Sequence, residues 1–206
     1  MVWSRAIAVV LALPALAACA DDGRELRPPP PGATAPAPPI STSTTSTSTP
    51  VSLSQAADGM VLTSSAFGHG EPIPSRHSCS GGNVSPPLAW SGVPAGTVEL
   101  AVVVIDLDAD NFVHWVIAGL DPSLAGLEED ARPEGAVEAR NDSSEFGWFG
   151  PCPPDGERHV YAFTLYALLE PSGVTPASGG ADAIAAIAGA PGSAVTLTGT
   201  FEAPDG

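Results

Sequence analysis

The stretch GPCPPDGERHVYAFTLYAL, from Gly150 to Leu168, joins a rigid turn to an apolar strand. The turn GPCPPDG contains three prolines and two glycines, which bend the backbone and fix its course. The run VYAFTLYAL that follows is apolar and aromatic on both faces, which is typical of a strand covered on both sides. Because side chains alternate along a strand, His159 and Tyr161 at its start point to the same face.

Two further runs have the same character. VELAVVVID, Val98–Asp106, is apolar on both faces, and so is FVHWVIAGL, Phe112–Leu120. Helix signals are sparse: ADAIAAIAGA, Ala181–Ala190, predicts one short helix, and a last strand follows over Ala194–Phe201. The sequence therefore predicts a mainly β fold with a few short helices.

The composition favours one acidic domain. The 206 residues are 44% hydrophobic, which is enough for a buried core. The formal net charge is -16, and the Lys+Arg total of 7 consists of arginines that do not cluster. Nucleic acid is excluded as a partner because phosphate backbones require a basic surface, so the acidic surface indicates solubility.

The first residues, Met1–Ala18, predict a secretory signal. Arg5 supplies a positive charge, and the apolar run after it is too short to span a bilayer. The letters LAAC, which end at Cys19, resemble the lipobox of bacterial lipoproteins; an ordinary cysteine in a signal that is cut elsewhere is the alternative. Acyl chains on Cys19 would anchor the exported protein to the outer face of the cell membrane.

A tether is predicted over residues 19–58. This segment reads RPPPPGATAPAPP and then STSTTSTST, and it has too little apolar area to offset the entropy of ordering. The run Ser41–Thr49 is either an O-glycosylated stalk or a bare flexible linker. The remaining residues, 59–206, are predicted to form a single domain.

Two cysteines remain when Cys19 is assigned to lipid. They are Cys79 and Cys152. An even pair in an oxidising compartment favours a disulfide, whereas two separately buried thiols are the alternative, because sequence alone does not give the Cα separation.

Four side chains with acid, base or hydrogen-bonding capacity lie in or beside the apolar strands: Asp106, His114, His159 and Tyr161. His114 shares its strand face with Phe112, so we expect it to be buried. Buried polar groups need partners, and these four either satisfy one another in the core or line a pocket. Their convergence beside a proline-rich loop favours the pocket.

The quoted segments resemble the phosphatidylethanolamine-binding protein family, in its bacterial Raf-kinase-inhibitor-like (YbhB/YbcL) branch. The resemblance covers residues 59–201 and rests on four motifs in the family's order. These are CSGGNVSPPLAWSGVPAGT from Cys79, DLDAD from Asp106, HWVIAGL from His114 and NDSSEFGWFGPCPPDGERHVYAFTLYAL from Asn141. It implies a large antiparallel sheet packed on a smaller one, with a shallow pocket for phosphate, acetate or a phosphoethanolamine headgroup.

Matched by motif, the resemblance implies a pocket with the Gly150–Pro154 loop as its rim. Imidazole, phenol and turn N–H groups donate to phosphate oxygens, while a carboxylate orients a histidine or receives an ammonium. The implied ligand-binding residues are Asp106, His114, Pro153, His159 and Tyr161, with Asn83, Ser85 and Pro86 of the NVSPP motif supporting the fold nearby.

We therefore expect a lipid-anchored, cell-surface binding module without catalytic turnover or a cofactor. Its expected partners are a small anionic or phospho-headgroup ligand, the membrane, and an envelope protein that it inhibits or regulates. One alternative is a metal-dependent hydrolase that uses Asp106, His114 and His159, although their wide spacing lacks an HExxH-like signature. The other is an envelope interaction protein with a vestigial pocket.

Overall fold

A computed structural model describes residues 54–55 and 59–205 of the chain. The predicted signal peptide 1–18, the lipid acceptor Cys19 and nearly all of the predicted tether 19–58 lie outside the described residues. Within the described residues, no helix is both long and apolar enough to cross a membrane.

The described residues form nine strands, one short 3₁₀ helix and one α-helix. In chain order these are β1 Ser54–Gln55, β2 Val61–Thr63, the 3₁₀ helix Ser75–His77, β3 Leu88–Ser91, β4 Glu99–Asp106, β5 Phe112–Leu120, β6 Gly126–Leu127, β7 Val137–Glu138, β8 Arg158–Leu168, α1 Gly180–Gly189 and β9 Gly192–Glu202. A five-stranded sheet has the order β7-β5-β4-β8-β9, and a four-stranded sheet has the order β1-β2-β3-β6. All strand pairs are antiparallel.

Strand β4 lies at the centre of the large sheet and is buried on both faces. Leu100, Val102 and Val104 face the small sheet, where they join one apolar cluster with Leu62 and Trp90. The alternate residues of β4 face the other way, toward α1. The two-sided apolar run seen in the sequence is therefore confirmed as a strand between two layers.

The other face of the large sheet packs against α1. Ala101 and Val103 of β4 share an apolar cluster with Ala183 and Ile187 of the helix. Gly180 at the start of α1 allows this approach, because a Cβ there would lie 2.9 Å from a methyl of Val113. The helix thus covers one side of the sheet and leaves the opposite side to the small sheet.

The mainly β fold with two antiparallel sheets and few helices is confirmed. The predicted helix is shifted by one residue. Strand β8 begins at Arg158, two residues before the apolar run, because β9 pairs with β8 along its full length. The sequence placed Ser54–Gln55 in the tether, but these residues pair with Leu62 and Val61. Backbone hydrogen bonds hold this edge strand in the sheet, so the hydrophobic pattern of the sequence carried no signal for it.

A disulfide joins Cys79 to Cys152, with the Cα atoms 5.5 Å apart, which settles the alternative that the sequence left open. The same two segments are also joined by a hydrogen bond of 3.1 Å from the Cys79 N–H to the Pro151 carbonyl. Gly150 lies so close to His77 that a Cβ would be 2.2 Å from its carbonyl oxygen. The loop before β8 is therefore fastened to the segment after the 3₁₀ helix.

We expect the disulfide to stabilise the domain substantially, because it closes a loop with a sequence separation of 73. The double variant Cys79→Ser/Cys152→Ser should lose about 2 to 5 kcal/mol of unfolding free energy in a denaturant titration. A reducing agent should lower the wild-type midpoint comparably and leave the variant unchanged. Equal midpoints for the oxidised wild type and the variant would contradict this expectation.

Candidate functional site

One end of the large sheet brings the sequence-predicted polar residues together. Asp106, the last residue of β4, pairs with Phe112 at the start of β5 and with Tyr161 near the start of β8. Since directly opposed residues of neighbouring strands share a face, these side chains meet on one side of the sheet. The loop that carries Cys152 closes over them.

Asp106 is buried and both of its carboxylate oxygens accept hydrogen bonds. Oδ1 accepts the backbone N–H of Asp108 at 2.9 Å, and Oδ2 lies 2.7 Å from Nδ1 of His159. Because a carboxylate only accepts, Nδ1 of His159 carries the proton, and Nε2 is the ring nitrogen left for other contacts. Asp106 therefore fixes the orientation of His159.

The pKa of His159 is raised above its ordinary value of 6.5. Burial alone lowers it, but the hydrogen bond and negative charge of Asp106 outweigh that effect, with help from Glu157 and Asp108. The carboxylate of Glu157 lies 3.4 Å from Nε2 of His159. A raised pKa keeps more of this imidazole protonated at neutral pH than an ordinary histidine would be.

His114 differs from His159 in charge. It is only 3% exposed, its Nδ1–H donates to the Phe149 carbonyl at 2.6 Å, and its ring stacks on that of Phe149 with centroids 5.6 Å apart. Burial lowers its pKa, so His114 is neutral at neutral pH. Its Nε2 then has a lone pair and accepts a hydrogen bond instead of donating one.

Tyr161 is fully buried. Its ring makes an edge contact with His114 at a centroid distance of 5.2 Å. Its hydroxyl has no hydrogen-bond partner of good geometry among the described residues. Burial, followed by the negative charge of Asp106, raises its pKa, so the phenol stays protonated and is able to donate.

Asp106, His114 and His159 line a pocket of about 400 Å³. The sequence placed Phe112 on the same strand face as His114. It did not reveal that Phe149 also forms part of the wall, because the position of Phe149 depends on a loop. The two phenylalanine rings lie 6.0 Å apart. The lining residues are Asp106, Ala109, Phe112, His114, Ser143, Phe149, Cys152, Pro154 and His159.

The structure brings together three of the five residues assigned to the ligand, Asp106, His114 and His159, as lining residues. Tyr161 is not a lining residue, but its ring contacts that of His114. Pro153 is buried and does not line the pocket, whereas its neighbour Pro154 does. Within the predicted Gly150–Pro154 rim, Cys152 and Pro154 line the pocket and Pro153 does not.

The NVSPP motif supports the rim through Asn83, whose Oδ1 accepts the N–H of Gly150 at 2.8 Å. Ser85 uses its carbonyl to accept the N–H of Asp130. Both contacts agree with the supporting role implied by the resemblance.

The pocket contains one titratable donor, His159, and one neutral acceptor, His114. No arginine or lysine is among its lining residues. In the part of the chain that the structure describes, no group of three or more His, Cys, Asp or Glu side chains is arranged to hold a metal ion. The metal-dependent hydrolase therefore gains no support from Asp106, His114 and His159.

Comparison with known proteins finds one family over most of the described domain. Residues 63–202 match the family model described as phosphatidylethanolamine-binding protein. A protein of Mycobacterium tuberculosis named "Putative lipoprotein LppC" is 43% identical over 150 residues, which span 71% of this chain and 74% of that protein. A UPF0098 protein of Methanothermobacter thermautotrophicus is 42% identical over 137 residues, 63% of this chain and 90% of that protein.

A solved structure shows the same similarity. The crystal structure of Escherichia coli YbcL, described as a member of the mammalian PEBP family, superposes with a TM-score of 0.66 at 34% sequence identity. The match covers 68% of this chain and 96% of that one. The sequence identity and the shared fold therefore indicate the same family.

The Asp106–His159 pair predicts a specific effect on titration. Asp106→Asn should lower the pKa of His159, because burial remains while the neighbouring negative charge is lost. The stabilisation that this pair gives the wild type is present below the unfolded histidine pKa of about 6.5 and is lost as pH rises through the raised folded pKa.

The measurement is an NMR titration of the imidazole signals, with the denaturation midpoint followed across the same pH range. Asp182→Asn, the same change at an exposed position of α1, controls for net charge. A His159 pKa that is equal in wild type and Asp106→Asn would show that Asp106 does not set it.

Proposed function

Since this chain belongs to the phosphatidylethanolamine-binding protein family, we propose that it is a binding module whose pocket holds a small phosphate-type anion or phosphoethanolamine-type headgroup. The pocket is the one lined by Asp106, His114 and His159. The family is shown by the comparisons; the ligand and the site residues are inferred from the chemistry of the pocket.

The hydrogen bond between Asp106 and His159 carries this proposal. It fixes the tautomer of His159, raises its pKa and leaves Nε2 for an anionic oxygen. Glu157 lies near the same nitrogen, but its side chain is 61% exposed, so an entering anion can displace it at low cost. His159, whose pKa is raised, is therefore the one side chain among the lining residues that can bring a positive charge to the pocket at neutral pH.

The rest of the wall favours a ligand that also brings a positive group. Asp106 accepts one hydrogen bond at each oxygen and keeps further lone pairs, so an ammonium group would find acceptors in this carboxylate and in neutral His114. The rings of Phe112 and Phe149 add faces that attract cations. A zwitterion such as phosphoethanolamine satisfies both requirements, whereas inorganic phosphate uses only the His159 side.

We also propose that lipid on Cys19 anchors the protein to the outer face of the cell membrane. There it would inhibit or regulate an envelope protein. The signal and the letters LAAC support the anchor, as does the lipoprotein name of one relative. The disulfide supports export, because such bonds persist in oxidising compartments.

Affinity for phosphoethanolamine should fall as pH rises through the raised pKa of His159, because only the imidazolium donates strongly to phosphate. Calorimetry from pH 6 to 9 measures this dependence. His159→Gln should bind about tenfold more weakly at pH 6.5 and lose most of the pH dependence, since a charged hydrogen bond is lost.

His69→Gln is the matched control, because His69 is exposed and lies outside the pocket. Affinity that stays flat with pH in the wild type would count against His159 as the donor. No binding at millimolar phosphoethanolamine or phosphate would favour the envelope interaction protein with a vestigial pocket.

Lipidation has its own test. Cys19→Ala in the full-length chain should block acylation and move the protein from the membrane fraction toward the soluble fraction, because the acyl chains are the proposed anchor. Incorporation of a labelled fatty acid, followed by detergent phase partitioning, measures both effects. Equal labelling of wild type and variant would exclude Cys19 as the acceptor.

A further inference from the structure

A second cavity, of about 380 Å³, lies on the other side of the segment that forms the rim of the first pocket. Gly147 and Trp148 line this cavity, whereas the next residue, Phe149, lines the first. We propose that the second cavity is a binding site for a neutral saccharide. This inference uses different residues from the proposed anion site and does not rest on it.

The wall of the cavity contains a compensated ion pair. The side chain of Glu138 is 8% exposed, its Oε1 accepts the indole N–H of Trp115 at 2.9 Å, and its Oε2 pairs with Arg132. Gly147 lies against this pair, and a Cβ there would be 3.2 Å from Oε1 of Glu138. Because Glu138 neutralises Arg132, the cavity offers no unpaired cation to an anionic ligand.

Unused hydrogen-bonding groups face the same space. Ser85 is only 3% exposed, and its hydroxyl makes no hydrogen bond with the described residues although the residue lines the cavity. Among the described residues only the Tyr161 hydroxyl is buried without a partner, so the Ser85 hydroxyl is open to the cavity, where a ligand can pair with it. The amide group of Asn83 is similarly available, since only its Oδ1 is used, by Gly150.

The mouth of the cavity adds aromatic surface. Trp148 is half-buried, with its ring stacked on Phe163, and Phe146 is 49% exposed, with the guanidinium of Arg140 4.5 Å from its ring centroid; both residues line the cavity with the rest of their aromatic surface. Asp130 contributes an exposed carboxylate, which accepts hydrogen bonds and further disfavours anions. Donors, acceptors and aromatic surface in a cavity without an unpaired cation match a saccharide, whose hydroxyls donate and accept and whose ring presents an apolar C–H face.

Tryptophan fluorescence tests the inference, because Trp115 and Trp148 both line the cavity. The purified full-length chain is titrated with N-acetylglucosamine, methyl glucoside and trehalose. We expect a saturable change in emission with at least one of them. Saturating phosphoethanolamine should leave the saccharide affinity unchanged. The saccharide titration itself tests the second cavity even if phosphoethanolamine does not bind to the first pocket.

Two variants locate the binding. Ser85→Ala should weaken saccharide affinity about fivefold through the lost hydrogen bond, and Phe146→Ser about threefold or more through the lost aromatic face. The matched controls are Ser91→Ala on β3 and Leu169→Ser, since Ser91 is exposed and Leu169 is 47% exposed, and neither lines the cavity. Thermal unfolding establishes that each variant is folded.

Three results would overturn the inference. The first is the absence of a saturable signal with every saccharide tested. The second is a failure of the binding to map to this cavity. Saccharide affinity would then be equal in wild type, Ser85→Ala and Phe146→Ser, or phosphoethanolamine would displace the saccharide. The third is tighter binding of sulfate or tetramethylammonium at this cavity, which would make it an anion or cation site instead.

Discussion

The burial of β4 on both faces is the constraint on which the rest of the structure depends. Leu100 and Val102 alternate with Ala101 and Val103, so both faces of this strand require apolar cover. The small sheet covers one face and α1 covers the other. The apolar run ends at Asp106, and this is where polar side chains can enter without disturbing the core.

The end of β4 also explains why a pocket with polar walls forms there. Register with β8 places Tyr161 opposite Asp106, and the period of two then brings His159 to the same face. One carboxylate consequently orients a histidine whose pKa it raises, while burial lowers the pKa of His114 nearby. Two imidazoles in one pocket therefore differ in protonation, which gives it a donor and an acceptor at the same pH.

Much of this arrangement could be predicted from the sequence, because long apolar runs and strict alternation are local signals. They located β4, β5 and β8 and the shared face of His159 and Tyr161. The short strands β1, β6 and β7 have only two residues each, so they carry no period and depend on backbone pairing with their neighbours.

Contacts formed by loops could not be predicted in the same way. The position of Phe149 on the pocket wall and the burial of Pro153 both depend on the path of the segment before β8. For the same reason, the sequence did not decide whether the disulfide forms, since only the folded chain brings Cys79 and Cys152 within bonding distance.

That segment is held more firmly than its lack of regular structure suggests. The disulfide, the hydrogen bond from Gly150 to Asn83 and the bond of 3.0 Å from the Trp148 indole to the His77 carbonyl attach it at three points. Because Trp148 and Phe149 line different cavities, these attachments fix the walls of both. Ligands would therefore meet walls that are already positioned, and less conformational entropy would be lost on binding than with a free loop.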